Sequence, residues 1–256
     1  MKRKRPLLIA LVVAAVGLAL GIGIWLQQPR TVYYLASDAA FKGETTNVDI
    51  AAIRSRLQAY LDSNPGPEGA YQAVRRYFYL LDNVGATQAD VRPFLSHPDV
   101  RISAMAQSKL RRLELMKAPI DLRFTALDGR EVDLATLRGK VVLLDFWATW
   151  CVPCVAELPN VKAVYQKFRD RGFEVIGISL DRAQDKQKLI DFVEEKGLPW
   201  PQHFAGDGHY TASEICRHFG VVGLPATFLL DQRGMISSIN LRGEQLTSNV
   251  QKLLGH

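Results

Sequence analysis

Cysteine is scarce in this chain: there are three in 256 residues, and only Cys151 and Cys154 are close neighbours. A metal knuckle built on Cys-x-x-Cys usually brings a second such pair. Cys216 stands 62 positions beyond Cys154 with no partner at that spacing. Histidine offers no substitute. His203, His209, His218 and His256 lack ligand spacing, and His97 before Pro98 reads as a residue at a helix start. Positive charge is also missing where it would matter for nucleic acid. The net charge is +6, but residues 1–30 carry five basic side chains and no acid, which leaves +1 for everything after them. The near-neutral remainder gives no support for a basic patch making phosphate contacts, and no nucleic-acid partner is expected.

Charge is absent altogether from residues 7–26, which follow Lys2-Arg3-Lys4-Arg5. Twenty uncharged residues are about the length of a membrane-crossing helix, whereas a signal-peptide core runs to roughly 7–15. Gln27-Gln28-Pro29-Arg30 makes a poor cleavage site, so residues 1–28 are expected to remain as an anchor. The basic cluster should stay in the cytoplasm, placing the remainder outside a single-pass cell membrane, on the periplasmic side. No cysteine near this segment supports a lipid anchor.

Residues 29–117 read as a small all-α region of unknown role. Ile53, Leu57, Tyr60 and Leu61 fall on one helix face, and Ala70, Val74, Tyr77, Phe78 and Leu81 on another. Asn64-Pro65-Gly66-Pro67 breaks the chain between them. A third short helix carries Val91, Phe94 and Leu95. A fourth starts at Ser96-His97-Pro98 and carries Ile102, Met105, Ala106, Leu110 and Leu113. Tyr71, Tyr77, Phe78 and Tyr79 are read mainly as core, with a docking surface as the alternative, and Arg111-Arg112 as a solvated face.

Residues 118–256 alternate strand and helix signals. A hairpin over 120–134 turns at Asp128-Gly129. The apolar run 141–146 is expected to be a central strand. A helix over 157–171, a strand over 174–180 and a helix over 186–195 follow. Then come a short strand at 201–204, a helix at 212–219, strands at 226–230 and 235–241, and a last helix from 244. The central strand runs straight into Trp147-Ala148-Thr149-Trp150-Cys151-Val152-Pro153-Cys154. Two cysteines between a buried strand and a helix start point to redox chemistry over structural zinc. The helix N-terminus supplies free N–H groups and a positive dipole end that favour a thiolate. A spacing of three puts the second sulfur one turn on, within reach of a disulfide. Asp145 sits inside an apolar strand, where a charge needs a reason.

The segment 145–154 resembles the active site of the thioredoxin superfamily, and is most similar to its membrane-anchored TlpA/ResA-like branch. Gly139-Lys140 before the strand, Glu157 and Pro159 after the cysteines, Gly223-Leu224-Pro225-Ala226-Thr227-Phe228, and Leu229-Leu230-Asp231 with Gly234 extend the likeness. It spans about 119–256. It implies an α/β thioredoxin-like fold with an N-terminal hairpin and a central insertion over 181–219. It also implies a protein thiol–disulfide oxidoreductase with no cofactor beyond the Cys151–Cys154 disulfide. Cys151 would be the exposed attacking thiolate, and Cys154 the more buried resolving thiol. Pro225 would be a cis-proline, leaving the Leu224 backbone free to pair with a bound peptide. Trp150, Val152, Pro153 and Leu224 would touch the partner, and Trp147 would pack on the sheet. The proton of Cys154 has two candidate acceptors, Asp145 and Glu157, and the sequence leaves both open. Cys216 reads as an apolar core residue, with a regulatory thiol as the alternative. The implied partners are disulfide-bearing proteins such as apocytochromes c, and a membrane electron donor that recharges the dithiol. A peroxiredoxin-like peroxidase and a copper-binding thiol carrier are the rival functions. The first lacks the proline of the peroxidase motif, although Thr149 lies two before Cys151.

Overall fold

A computed structural model describes residues 50–210 and 213–255. The candidate membrane segment at 7–26 lies outside these residues. Among the described residues no helix is long and apolar enough to cross a membrane. The described chain falls into two units, one of residues 50–86 with 96–103, the other of residues 87–95 with 104–255.

The first unit holds α1 (Ile50–Asp62) and α2 (Gly66–Val84). Pro67 lies in the first turn of α2, where its missing N–H costs nothing. The expected stripe of Ala70, Val74, Tyr77, Phe78 and Leu81 is buried. The aromatic group divides: Tyr77 and Phe78 are core, Tyr79 is exposed, and Tyr71 lies under the Arg101 guanidinium at 4.2 Å.

The short helix α3 (Gln88–Val91) belongs to the second unit. It is started by a capping box in which Asp90 accepts from both the backbone and the hydroxyl of Thr87. α4 (Val100–Leu115) begins four residues after Ser96, because the chain first turns at Asp99, whose N–H donates to His97 Nδ1. The far half of α4 corrects the reading of Arg111-Arg112 as a solvated face at one of the two residues: Arg111 is exposed, whereas Arg112 is half-buried. Arg111 donates to the His218 carbonyl at 2.9 Å, and Arg112 buries its Nε without a partner. Ser108 bonds the carbonyl of Gly220, whose left-handed φ of 62° ends the helix Glu214–Phe219. A Cβ at residue 220 would strike the Ser108 backbone, so glycine answers two demands at that point.

Strands β1 (Arg123–Thr125) and β2 (Glu131–Asp133) form the expected hairpin, shorter than its sequence pattern. It straps the main sheet: Ile120 N–H donates to the Gly234 carbonyl and Leu127 N–H to the Gln202 carbonyl. The main sheet is built of β3 (Val141–Trp147), β4 (Phe173–Ser179), β5 (Gln202–Phe204), β6 (Ala226–Leu230) and β7 (Ile236–Ile239). Its order is β5-β4-β3-β6-β7, with β4 and β5 parallel to β3, and β6 antiparallel to it. Every residue of β3 is buried, as an apolar run in the middle of a covered sheet requires. Helix α5 (Val152–Phe168) connects β3 to β4, and α6 (Lys186–Glu195), β5 and α7 (Glu214–Phe219) occupy the stretch between β4 and β6. The C-terminal helix α8 (Gly243–Leu254) packs on α5. This is a thioredoxin-like α/β fold around a central sheet.

Two features of this fold position the site. α5 starts at Val152, five residues before the stretch that read as helix, because Cys151 and Pro153 make an N-terminus the hydrophobic pattern does not show. Trp147 is locked at the end of β3, its indole N–H donating to Gln202 Oε1 at 2.9 Å. The Gln202 side chain reaches it by crossing residue 177, where any Cβ would collide with it and where the chain has glycine.

Candidate active site

β3 ends at Trp147, and four residues later Cys151 is the N-cap of α5. The two cysteines are joined, with an S–S distance of 2.03 Å and Cα atoms 5.2 Å apart. The Cys154 N–H donates to Cys151 Sγ at 3.3 Å, so one of the unpaired donors of the first turn is aimed at that sulfur. Residues Ala148–Trp150 are held from below by Asp181, which is fully buried just past β4. Its carboxylate accepts from Thr149 Oγ1 at 2.6 Å, from Thr149 N–H at 3.1 Å and from Ser179 Oγ at 2.8 Å. Asp181→Ala leaves these buried donors without an acceptor, and each such loss costs about 1–3 kcal/mol. We expect denaturant unfolding of the oxidised protein to register a loss of about 2–4 kcal/mol. Asp181→Asn, which keeps one acceptor oxygen, should lose less. A change within about 0.5 kcal/mol for Asp181→Ala, as at an ordinary surface site, would show that the loop does not depend on this carboxylate.

Exposure does not separate the two sulfurs as the sequence led us to expect. Cys151 is 5% accessible and Cys154 3%, so in the bridged form both are buried. What is exposed is the rim: Trp150 at 46%, Val152 at 79% and the adjoining Pro153, with Val222, two residues before Leu224, exposed as well. Leu224 and Pro225 are half-buried, and the bond between them is cis. Ala226 pairs with Phe146, so this loop enters β6 at the sheet end from which β3 leaves toward Cys151.

The two carboxyls behave differently. Asp145 is buried in β3, and burial pushes its carboxyl up to about 7, with Arg242 drawing it down and Glu157 adding to the rise. Glu157 is half-buried on α5, and its Oε1 accepts from Asn160 Nδ2 at 2.6 Å and from Gly243 N–H at 2.8 Å. It thereby serves a free donor at the N-terminus of α8, the favourable end for a negative charge. Cys216 is fully buried in α7, and burial pushes its thiol up to about 11. Among the described residues no cluster of three or more His, Cys, Asp or Glu side chains is arranged to hold a metal ion.

Arg242, Asp181, Gln202 and Val222 escaped the sequence reading. Asp181 carried a signal, an acid directly after an apolar strand, of the same kind that marked Asp145. Arg242 carried none.

A bridged Cys-x-x-Cys carried from a central strand onto a helix N-terminus defines the class: a thiol–disulfide oxidoreductase on a thioredoxin-like fold. The AhpC/TSA family matches residues 116–239. The solved thioredoxin domain of a thiol-disulfide oxidoreductase from Bacteroides vulgatus is similar at 31% identity, over 54% of this chain and 96% of that one, with a TM-score of 0.48. The thiol-disulfide oxidoreductase ResA of Geobacillus thermodenitrificans (strain NG80-2) is 33% identical over 119 residues, 46% of this chain and 64% of that one. ResA of Bacillus cereus (strain ATCC 10987 / NRS 248) is 32% identical over 147 residues, 57% of this chain and 80% of that one. The chain belongs to the ResA family of thiol–disulfide oxidoreductases.

Proposed function

We propose that the protein reduces disulfides in extracytoplasmic partner proteins, apocytochromes c among them, through the Cys151–Cys154 dithiol as its only redox group. One observation carries this reading. The Cys151 sulfur caps a helix and receives the Cys154 N–H, in the middle of an exposed apolar rim. A helix N-terminus stabilises the thiolate that attacks a disulfide. Trp150, Val152 and Pro153 offer the partner an apolar surface, and the backbone of Leu224 offers it a strand to pair with.

The exchange runs in two displacements. The Cys151 thiolate attacks one sulfur of the partner disulfide, and the other sulfur leaves as a thiolate. Cys154 then gives its proton to Asp145 and attacks Cys151. The Cys151–Cys154 bond forms, the mixed disulfide breaks, and the second partner sulfur departs. Two electrons have passed to the partner, and a dithiol donor in the membrane returns the enzyme to its reduced form. We assign the proton to Asp145 because a carboxyl held near 7 is matched to a transfer at neutral pH. Glu157 already has a structural task at the start of α8. The uncharged stretch 7–26 anchors the chain, with Lys2–Arg5 on the cytoplasmic side.

The test is a trap. Cys154→Ala, made in the full chain and expressed in cells, should accumulate as a mixed disulfide through Cys151, and mass spectrometry of the adduct identifies the partner. Equal trapping by Cys151→Ala would reverse the roles. No adduct with any extracytoplasmic protein would remove the proposed substrate class.

A further inference from the structure

Arg242, the residue before α8, holds a position that the exchange scheme above leaves unused. Its Nη2 donates to the Pro225 carbonyl at 2.7 Å and its Nη1 to the Leu241 carbonyl at 2.8 Å. A longer contact of 3.4 Å runs from Nη1 to Thr227 Oγ1. Thr227 lies directly opposite Asp145 in the β3–β6 register. The residue after Arg242 is Gly243, whose N–H goes to Glu157. One half-buried guanidinium thus joins the loop that would receive the partner to the carboxyls of Asp145 and Glu157. Its hydrogen bonds go to neutral oxygens, while its charge acts on both Asp145 and Glu157.

Those neutral bonds have a purpose if the loop needs a fixed carbonyl. A rigid planar fork spans two carbonyl oxygens at once, which an ammonium on a flexible stem does not. The charge has a purpose if Asp145 must be ionised to work. Burial alone drives a carboxyl toward its neutral form, which accepts no proton, and the negative charge of Glu157 pushes the same way. Arg242 is the counterweight, and these two are the charges that act on Asp145.

We infer that Arg242 is a positioning residue for the exchange reaction: it clamps the Leu224–Pro225 loop by the proline carbonyl and holds positive charge beside Asp145, so that the carboxylate stands ready for the Cys154 proton. This rests on the reading of Asp145 as that acceptor, and the two are separable by experiment.

The probe is 5,5′-dithiobis(2-nitrobenzoate) added to the reduced full-length protein in a stopped-flow instrument. The first thiobenzoate released reports attack by Cys151, and the second reports resolution by Cys154. In the wild type the second rate should climb through about pH 7 as Asp145 ionises. Asp145→Asn should erase that limb. Arg242→Gln should move it upward by about one pH unit, a roughly five- to ten-fold slowing at pH 7. Arg242→Lys keeps the charge and should return the limb to its wild-type place, yet still raise the KM for insulin disulfides several-fold, because the loop has lost its clamp. If Asp145→Asn erases the limb and Arg242→Gln leaves it unmoved, the inference fails and the assignment of Asp145 stands. If Asp145→Asn keeps the limb, the assignment fails first and takes the inference with it. Should Arg242→Gln not fold, Arg242→Lys decides alone: a wild-type insulin KM, or a shifted limb, overturns the proposal.

Discussion

Asp145→Asn is expected to make the protein more stable and a poorer enzyme, with both effects governed by pH. In the folded chain the carboxyl is held at about 7 rather than 3.8. The folded state therefore keeps a proton that the unfolded chain surrenders between about pH 4 and pH 7. While the unfolded state binds fewer protons than the folded one, stability falls as pH rises. The contribution of Asp145 is thus fully favourable below about pH 4, declines through the window from 4 to 7, and is lost above it. A displacement of that size corresponds to on the order of 4 kcal/mol. Asparagine has nearly the same shape and no proton to lose. Denaturant unfolding of the oxidised proteins should show little difference at pH 4, and an advantage for Asp145→Asn approaching 4 kcal/mol by pH 8. The resolving step should slow about 100-fold, the usual scale for losing a positioned acid–base group. A stability difference that does not change with pH would mean that Asp145 does not titrate in this window, and would withdraw it as the acceptor.

The second large effect concerns selectivity among the three thiols. After reduction, iodoacetamide at pH 7 should modify Cys151 at least about 1,000-fold faster than Cys216. The physical contrast is strong. Cys151 sits at a helix N-terminus with a backbone N–H aimed at its sulfur and an exposed rim around it. Cys216 is fully enclosed, and its thiol is pushed up to about 11, so its thiolate fraction at neutral pH is minute. Cys216 should take the label only as fast as the protein unfolds, and peptide mapping of partly labelled protein distinguishes the sites. Comparable rates at Cys151 and Cys216 in the native state would contradict an activated Cys151, and would revive a regulatory role for Cys216.

Much of the redox domain is legible in the amino-acid sequence. The apolar run that became β3 and the pattern that became α6 and β6 needed only their own side chains. Asp145 announced itself as a charge in an apolar strand. The start of α5 was legible only from the Cys-x-x-Cys spacing after the strand, because an N-cap cysteine followed by valine and proline carries no hydrophobic period. Arg112 looked solvated because nothing near it in the chain shows that α4 meets the end of α7.

What the amino-acid sequence determined by itself is the local chemistry: two sulfurs three residues apart at the junction of a buried strand and a helix, a carboxyl the strand cannot solvate, and an uncharged stretch of membrane length. Tertiary structure alone decided which groups govern that chemistry. Asp181 supports Thr149 from 32 positions away, and Arg242 reaches back 17 positions to the Pro225 carbonyl and acts on the Asp145 carboxyl of β3. The reason is that hydrogen bonds and fields act through space, and a parallel neighbour or an antiparallel return brings distant residues within a few ångströms. Spacing along the chain records only what one helix or strand can place on its own.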